Sequence, residues 1–188
     1  MASSEMHSVQ TVSGNQPRIR VIGEAATQTW LPGTPLALNG SGYVIPWAGV
    51  IVTNLVGAII GTSKVPGANL GTANTPQQQT FGSVPNQSAA ANYSRPYFND
   101  GRTLFETADP DTIFLGQVGP AQSVTQANVG VPYGITKDSD NHWYVDTSKT
   151  TVGTNTCVMI VKLDPNDQSA TPRGVYFRFI VGNVQPVA

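Results

Sequence analysis

The apolar residues of this chain fall in short runs cut by Gly, Pro, Asn and Asp. No stretch of ten or more residues carries an apolar period near 3.6, so no helix would have a face to pack. The runs instead suit strands. Residues 18–22 (RIRVI) alternate. Residues 35–38 and 43–46 flank Asn39-Gly40-Ser41-Gly42, residue types that tolerate φ > 0 and mark a hairpin. Residues 50–60 (VIVTNLVGAII) read as one bent strand or two. Runs at 112–115, 131–136, 143–146, 152, 157–163 and 174–181 follow. Their spacing, roughly 8–12 residues, is that of all-β sandwiches and barrels. The fold class expected is all-β: a small antiparallel β-barrel or sandwich with a long polar extended arm.

Composition agrees. Thr is the commonest polar residue, Val is abundant, and β-branched residues favour strands. Charged residues are 11% of the 188, with 10 Lys and Arg against 11 Asp and Glu. That balance lacks the basic surplus of a nucleic-acid binder, so no nucleic-acid partner is expected. One cysteine excludes a disulfide scaffold. Residues 1–15 are polar with no basic start before an apolar stretch, so a secretory signal is not expected. The longest apolar run is interrupted and far shorter than the ~20 residues of a membrane span, so no membrane partner is expected either.

The last three runs are the clearest strands. Trp143-Tyr144-Val145 follows a turn at 137–141. Residues 157–163 (CVMIVKL) are almost wholly apolar, as a strand covered on both faces would be. Residues 174–181 (GVYFRFIV) are apolar but for Arg178, and 164–173 form a polar connection between the two. The chain divides into an N-terminal arm at 1–17, a β segment at 18–65, a polar arm at 66–100 and a C-terminal β core at 101–188.

The 66–100 stretch is the unusual part. It carries prolines at 66, 76, 85 and 96, many Asn and Gln, and scattered apolar groups. Loops beyond ~12–15 residues are functional or disordered. Ordering one this polar needs hydrogen-bonded pairing and a partner surface, because its own apolar groups are too few to offset the lost backbone entropy. Tyr93, Arg95, Tyr97 and Phe98 gather the residue types that dominate interface hot spots. They are the candidate interface residues; the blander alternative is that they pack the returning arm on its own barrel.

No constellation for catalysis, metal or cofactor binding emerges, so no enzyme activity and no cofactor is expected. His7 lies in a segment read as a flexible tail. His142 precedes Trp143 in a turn, with no second His or Cys at ligand spacing. Asp138-Ser139-Asp140-Asn141-His142 opens like a calcium loop but has Trp143 where Gly is required and Lys149 where the bidentate Glu belongs, so it reads as a hairpin tip. Residues 61–67 (GTSKVPG) hold the residue types of a phosphate loop in the wrong order and read as a turn. Asp109 and Asp111 flank Pro110, where turn chemistry accounts for both. Cys157 sits in an apolar run and reads as core. The Asn-x-Ser sequons at Asn39, Asn86 and Asn92 are what an Asn- and Ser-rich chain yields by chance.

Two blocks of the sequence resemble a known family. The first runs through Gly23-Glu24-Ala25-Ala26, Leu31-Pro32-Gly33-Thr34-Pro35-Leu36 and Gly42-Tyr43-Val44-Ile45-Pro46-Trp47-Ala48-Gly49. The second holds Asp111-Thr112-Ile113-Phe114 with Gly116, then Asn128-Val129-Gly130, Tyr133-Gly134, Trp143-Tyr144-Val145-Asp146 and the run from Gly174 to Ile180. Together they resemble the head decoration (cement) proteins of tailed bacteriophages. The resemblance implies a structural virion protein on the outer surface of an icosahedral capsid. Its partners would be the major capsid protein and further copies of itself, as a homotrimer or homodimer. The 66–100 arm has no counterpart in it. A carbohydrate-binding or fibre-type β module is the alternative, with Trp30, Trp47 or Trp143 as a sugar platform. Against that, tryptophans in β proteins more often pack a core.

Overall fold

The hairpin at 39–42 forms around one side chain. Asn39 Oδ1 accepts the N–H groups of Ser41 and Tyr43, each at 3.0 Å. Gly42 closes the turn at φ +80°, a conformation that costs a residue without Cβ nothing. The turn joins β3 (Pro35–Leu38) to β4 (Val44–Pro46). The structure, a computed structural model, describes residues 6–12, 14, 16–51, 57–65, 67, 102–152 and 154–180.

Nine further strands complete these residues: β1 (His7–Thr11), β2 (Ile19–Gly23), β5 (Ile59–Ser63), β6 (Arg102–Thr107), β7 (Thr112–Gln117), β8 (Pro132–Lys137), β9 (Trp143–Asp146), β10 (Val158–Leu163) and β11 (Gly174–Phe179). Among the described residues there is no α-helix, only a 3-10 turn at Gln126–Asn128. The strands form two antiparallel sheets, ordered β2-β6-β5-β3-β4 and β1-β7-β11-β10-β8-β9. The all-β expectation holds.

The two sheets are the same design used twice. Replacing β2, β3, β4, β5 and β6 by β7, β8, β9, β10 and β11 turns the first strand order into the second, with β1 added at its edge. Local contacts repeat as well. A parallel bridge curls each sheet back on itself, Glu24 to Val44 in one and Val118 to Val145 in the other. The next residue then donates to the same carbonyl: Ala25 N to Val44 O at 3.0 Å, Gly119 N to Val145 O at 3.1 Å. Gly33 N donates to Ser63 O at 2.7 Å, and Gly130 N to Ile160 O at 2.8 Å. Both glycines have positive φ and stand two residues before Pro35 and Pro132. Ala108 N to Ile60 O and Ile180 N to Cys157 O are both 2.9 Å. The turn at Asn39 recurs at Asp138, whose Oδ1 accepts from Asp140 N and His142 N at 2.9 Å. Phe105 and Phe177 occupy matching registers, opposite Ser63 and Ile160, and both are fully buried.

Burial follows from this pairing of units. Leu36, Val44, Ile60 and Phe105 fill the first unit with Trp30. The alternate residues of the same strands, Ala37 and Ile59, point the other way and join the larger cluster of the second unit, around Phe114, Ile135, Val158 and Phe177. Strands β3 and β5 are therefore buried on both faces, and one continuous core runs between the units.

Several expectations change. Residues 61–67 are not simply a turn: Gly61, Thr62 and Ser63 end β5, where a Cβ on Gly61 would clash with the Glu106 carbonyl. Within 50–60 the strand starts only at Ile59, and 52–56 lie outside the described residues. Strand β10 is not covered on both faces: Val158 and Ile160 are buried, Met159 and Val161 between them are only half-buried, and a bulge after Ile160 turns Lys162 to the exposed side opposite Tyr176. Val152 is no strand residue but is exposed in a loop. His7 belongs to β1, whose pairing with β7 draws part of the expected N-terminal arm into the sheet. The boundary expected near residue 100 falls between β5 and β6, neighbours in one sheet.

Candidate functional site

The candidate interface residues Tyr93, Arg95, Tyr97 and Phe98 lie outside the described residues. What the structure does place is the root of the segment that carries them. In sequence the segment stands between β5 and β6, and these strands pair directly, with Ser63 opposite Phe105 and Lys64 N donating to Leu104 O at 2.9 Å. Lys64 also pairs with the buried carboxylate of Glu106. Trp30 secures the departing side: its indole N–H donates to Val65 O at 3.0 Å, and its carbonyl accepts from Gly67 N at 3.1 Å. Gly67 suits this spot because a Cβ would meet Gln28 O at 2.9 Å. The described flanks of the segment thus lie side by side on paired strands.

Beside this root lies a groove of about 340 Å³ between the two units, where all three tryptophans converge. Trp30 and Trp47 come from the first unit and Trp143 from β9, with Thr29, Lys137 and Asn141 at its rim. Trp47 and Trp143 pack with ring centroids 5.6 Å apart and planes tilted by 42°. Each ring is between 5% and 7% exposed. A sugar platform needs an open indole face; these three residues are almost wholly buried, and Trp47 and Trp143 pack against each other where the units meet.

The other candidates are held in structural roles. Asp138, Asp140 and His142 bring ligand atoms within 4.8 Å of one another. Asp138 there organises the β8–β9 turn and also accepts the Tyr144 hydroxyl at 3.0 Å. Desolvation opposes its ionisation, but the His142 N–H, the Tyr144 hydroxyl and the Asp140 N–H outweigh it and hold the carboxyl below its ordinary value. Asp109 accepts Thr112 N at its carbonyl, 2.9 Å, and the Thr107 hydroxyl at its carboxylate, 2.7 Å, so it builds the β6–β7 turn as expected. Burial pushes the Cys157 thiol up to about 12, which leaves it an unreactive core group. Asn39 is the turn-forming residue described above, and Asn86 and Asn92 lie outside the described residues.

Sequence reasoning missed two things that bear on function. One is the groove, whose residues come from five separate segments. The other is the outer edge of β2, unpaired among the described residues, where Ile19 and Val21 are exposed apolar residues on an edge strand. An alternating run with its apolar members facing water was the available signal. No protein-family model matches this chain, and no curated protein matches it.

Proposed function

We propose that this protein is a structural virion protein that decorates the outside of an icosahedral phage head and braces neighbouring capsomers. The observation that carries the reading is the direct pairing of β5 with β6, the strands that flank residues 68–101 in sequence. Strands that already pair need no long connection between them. A polar segment of that length, flanked by such a pair, is suited to reaching across a neighbouring surface, with modest contacts multiplied over a symmetric shell. Tyr93, Arg95, Tyr97 and Phe98 would supply its anchors. The resemblance of residues 23–49 and 111–180 to cement proteins points the same way, and self-association as a trimer or dimer at a symmetry axis belongs to this reading. A carbohydrate-binding role would draw on the tryptophan groove, whose enclosed rings give it little support.

The test is sedimentation of purified protein with expanded, undecorated heads, alongside light scattering of the free protein. Co-sedimentation saturating at a fixed number of copies per capsomer is expected. A monomer that stays in the supernatant would overturn the reading.

A further inference from the structure

The duplication exposes an asymmetry at the sheet edges. Strand β7 carries β1 along its outer edge, with Gln10 opposite Ile113 and His7 opposite Leu115. Val12 N donates to Asp111 O at 2.8 Å, so Asp111, Ile113 and Leu115 turn their backbone groups toward β1. The equivalent strand of the first unit is β2. There Thr107 N donates to Arg18 O at 3.0 Å, so Arg18, Arg20 and Ile22 bond to β6 while Ile19 and Val21 turn theirs away. Matching Glu24 to Val118 sets Ile19 on Ile113 and Val21 on Leu115. The backbone positions and the apolar character are the same. In the second unit Ile113 is 9% exposed beneath β1; in the first, Ile19 is 51% and Val21 38% exposed, and no described strand pairs with them on that side.

Open edges bearing apolar side chains are avoided in folded proteins unless something pairs with them. We infer that the β2 edge receives an antiparallel strand from a partner protein, in the position β1 takes on β7. The chemistry of that strand follows from β2. Its backbone bonds to Ile19 and Val21 and its side chains there are apolar. Between them it faces Arg20, and among the described residues neither Arg18 nor Arg20 is ion-paired. A carboxylate at the position opposite Arg20 completes the match, giving an apolar–acidic–apolar segment.

A second copy's β2 does not fit. Two-fold pairing through Ile19 and Val21 sets Arg20 against its own copy, and like charges directly opposite are destabilising. Residues 68–101 contain no apolar–acidic–apolar triplet. The occupant is thus a strand of a different protein. This inference holds whether or not that protein belongs to a viral shell, so it can fail without the proposed function failing.

The experiment uses full-length, isotope-labelled protein and two synthetic peptides, acetyl-Thr-Val-Glu-Val-Thr-amide and its Lys counterpart. The Glu peptide should shift the Ile19 and Val21 amides and slow their hydrogen exchange, binding about five- to tenfold more tightly than the Lys peptide. Arg20→Glu should reverse that preference. Val21→Pro removes an outward N–H and leaves the bonds of Arg20 and Ile22 to β6, so it should abolish peptide binding while the rest of the spectrum is retained. Ile19 and Val21 amides already protected in the free protein, peptide shifts mapping elsewhere or absent at millimolar peptide, or no reversal by Arg20→Glu would each overturn the inference.

Discussion

Thr103 is fully buried on β6, and among the described residues its hydroxyl has no hydrogen-bond partner. Its counterpart in the second unit, by the register that matches Phe105 to Phe177, is Val175, also fully buried. The molecule thus contains its own answer to an unsatisfied polar group: a β-branched side chain of the same shape without the hydroxyl. Thr103→Val should stabilise the protein by about 1 kcal/mol, read as a higher urea midpoint at unchanged slope. Asp167 shows the opposite case, a polar group fully employed. It accepts Arg173 N and Gly174 N at 2.7 Å and the Ser169 hydroxyl at 2.7 Å, and the Arg173 N–H, the Ser169 hydroxyl and the Gly174 N–H hold its carboxyl well below 3.8. A carboxyl lowered on folding stabilises the folded state above its unfolded value and loses that contribution as pH falls through its folded one. Asp167→Asn should therefore lower the unfolding midpoint at neutral pH, and the gap to wild type should close progressively below about pH 4. A gap independent of pH would assign the effect to lost packing instead.

Elements were legible where one residue type decides one turn. The Asn39 and Asp138 tips, the β8–β9 and β10–β11 strands and the all-β class follow from alternation and turn chemistry that act over a few residues. The duplication was not legible, because the two units share only scattered positions, such as Gly33 with Gly130, Pro35 with Pro132 and Phe105 with Phe177. The excursion at 64–101 and its counterpart at 164–173 differ so much in length that no fixed period survives. The tryptophan groove is equally a product of packing between units. The same comparison yields a design. Because 164–173 closes the β10–β11 pair, grafting that segment in place of 68–101, which keeps the bonds of Val65 and Gly67 to Trp30, should leave the first unit folded, with the melting temperature close to wild type. Binding to undecorated heads should fall to background. If the graft unfolds the protein, residues 68–101 belong to the core and the proposed reaching role loses its basis.

At the scale of the molecule, two copies of one sheet design are joined through unlike faces. The first unit keeps a small interior of its own around Phe105, yet Ala37, Trp47 and Ile59 belong to the core of the second. A unit of this size with so few buried side chains is marginal alone, so its stability is borrowed across the junction. Trp47 is the largest side chain that the first unit places there, packed against Trp143. The wild-type protein should unfold in one transition, with the amides of β6 and β11 sharing one exchange rate for global opening. Trp47→Ala removes that contact and should cost about 3–5 kcal/mol. The loss should fall unequally: β6 amides should exchange by a lower-energy opening while β11 amides keep theirs, splitting the transition in two. Equal weakening of β6 and β11 would mean that the junction does not hold the units together through Trp47, and that the pairing of Ala37 and Ile59 with the second core is enough.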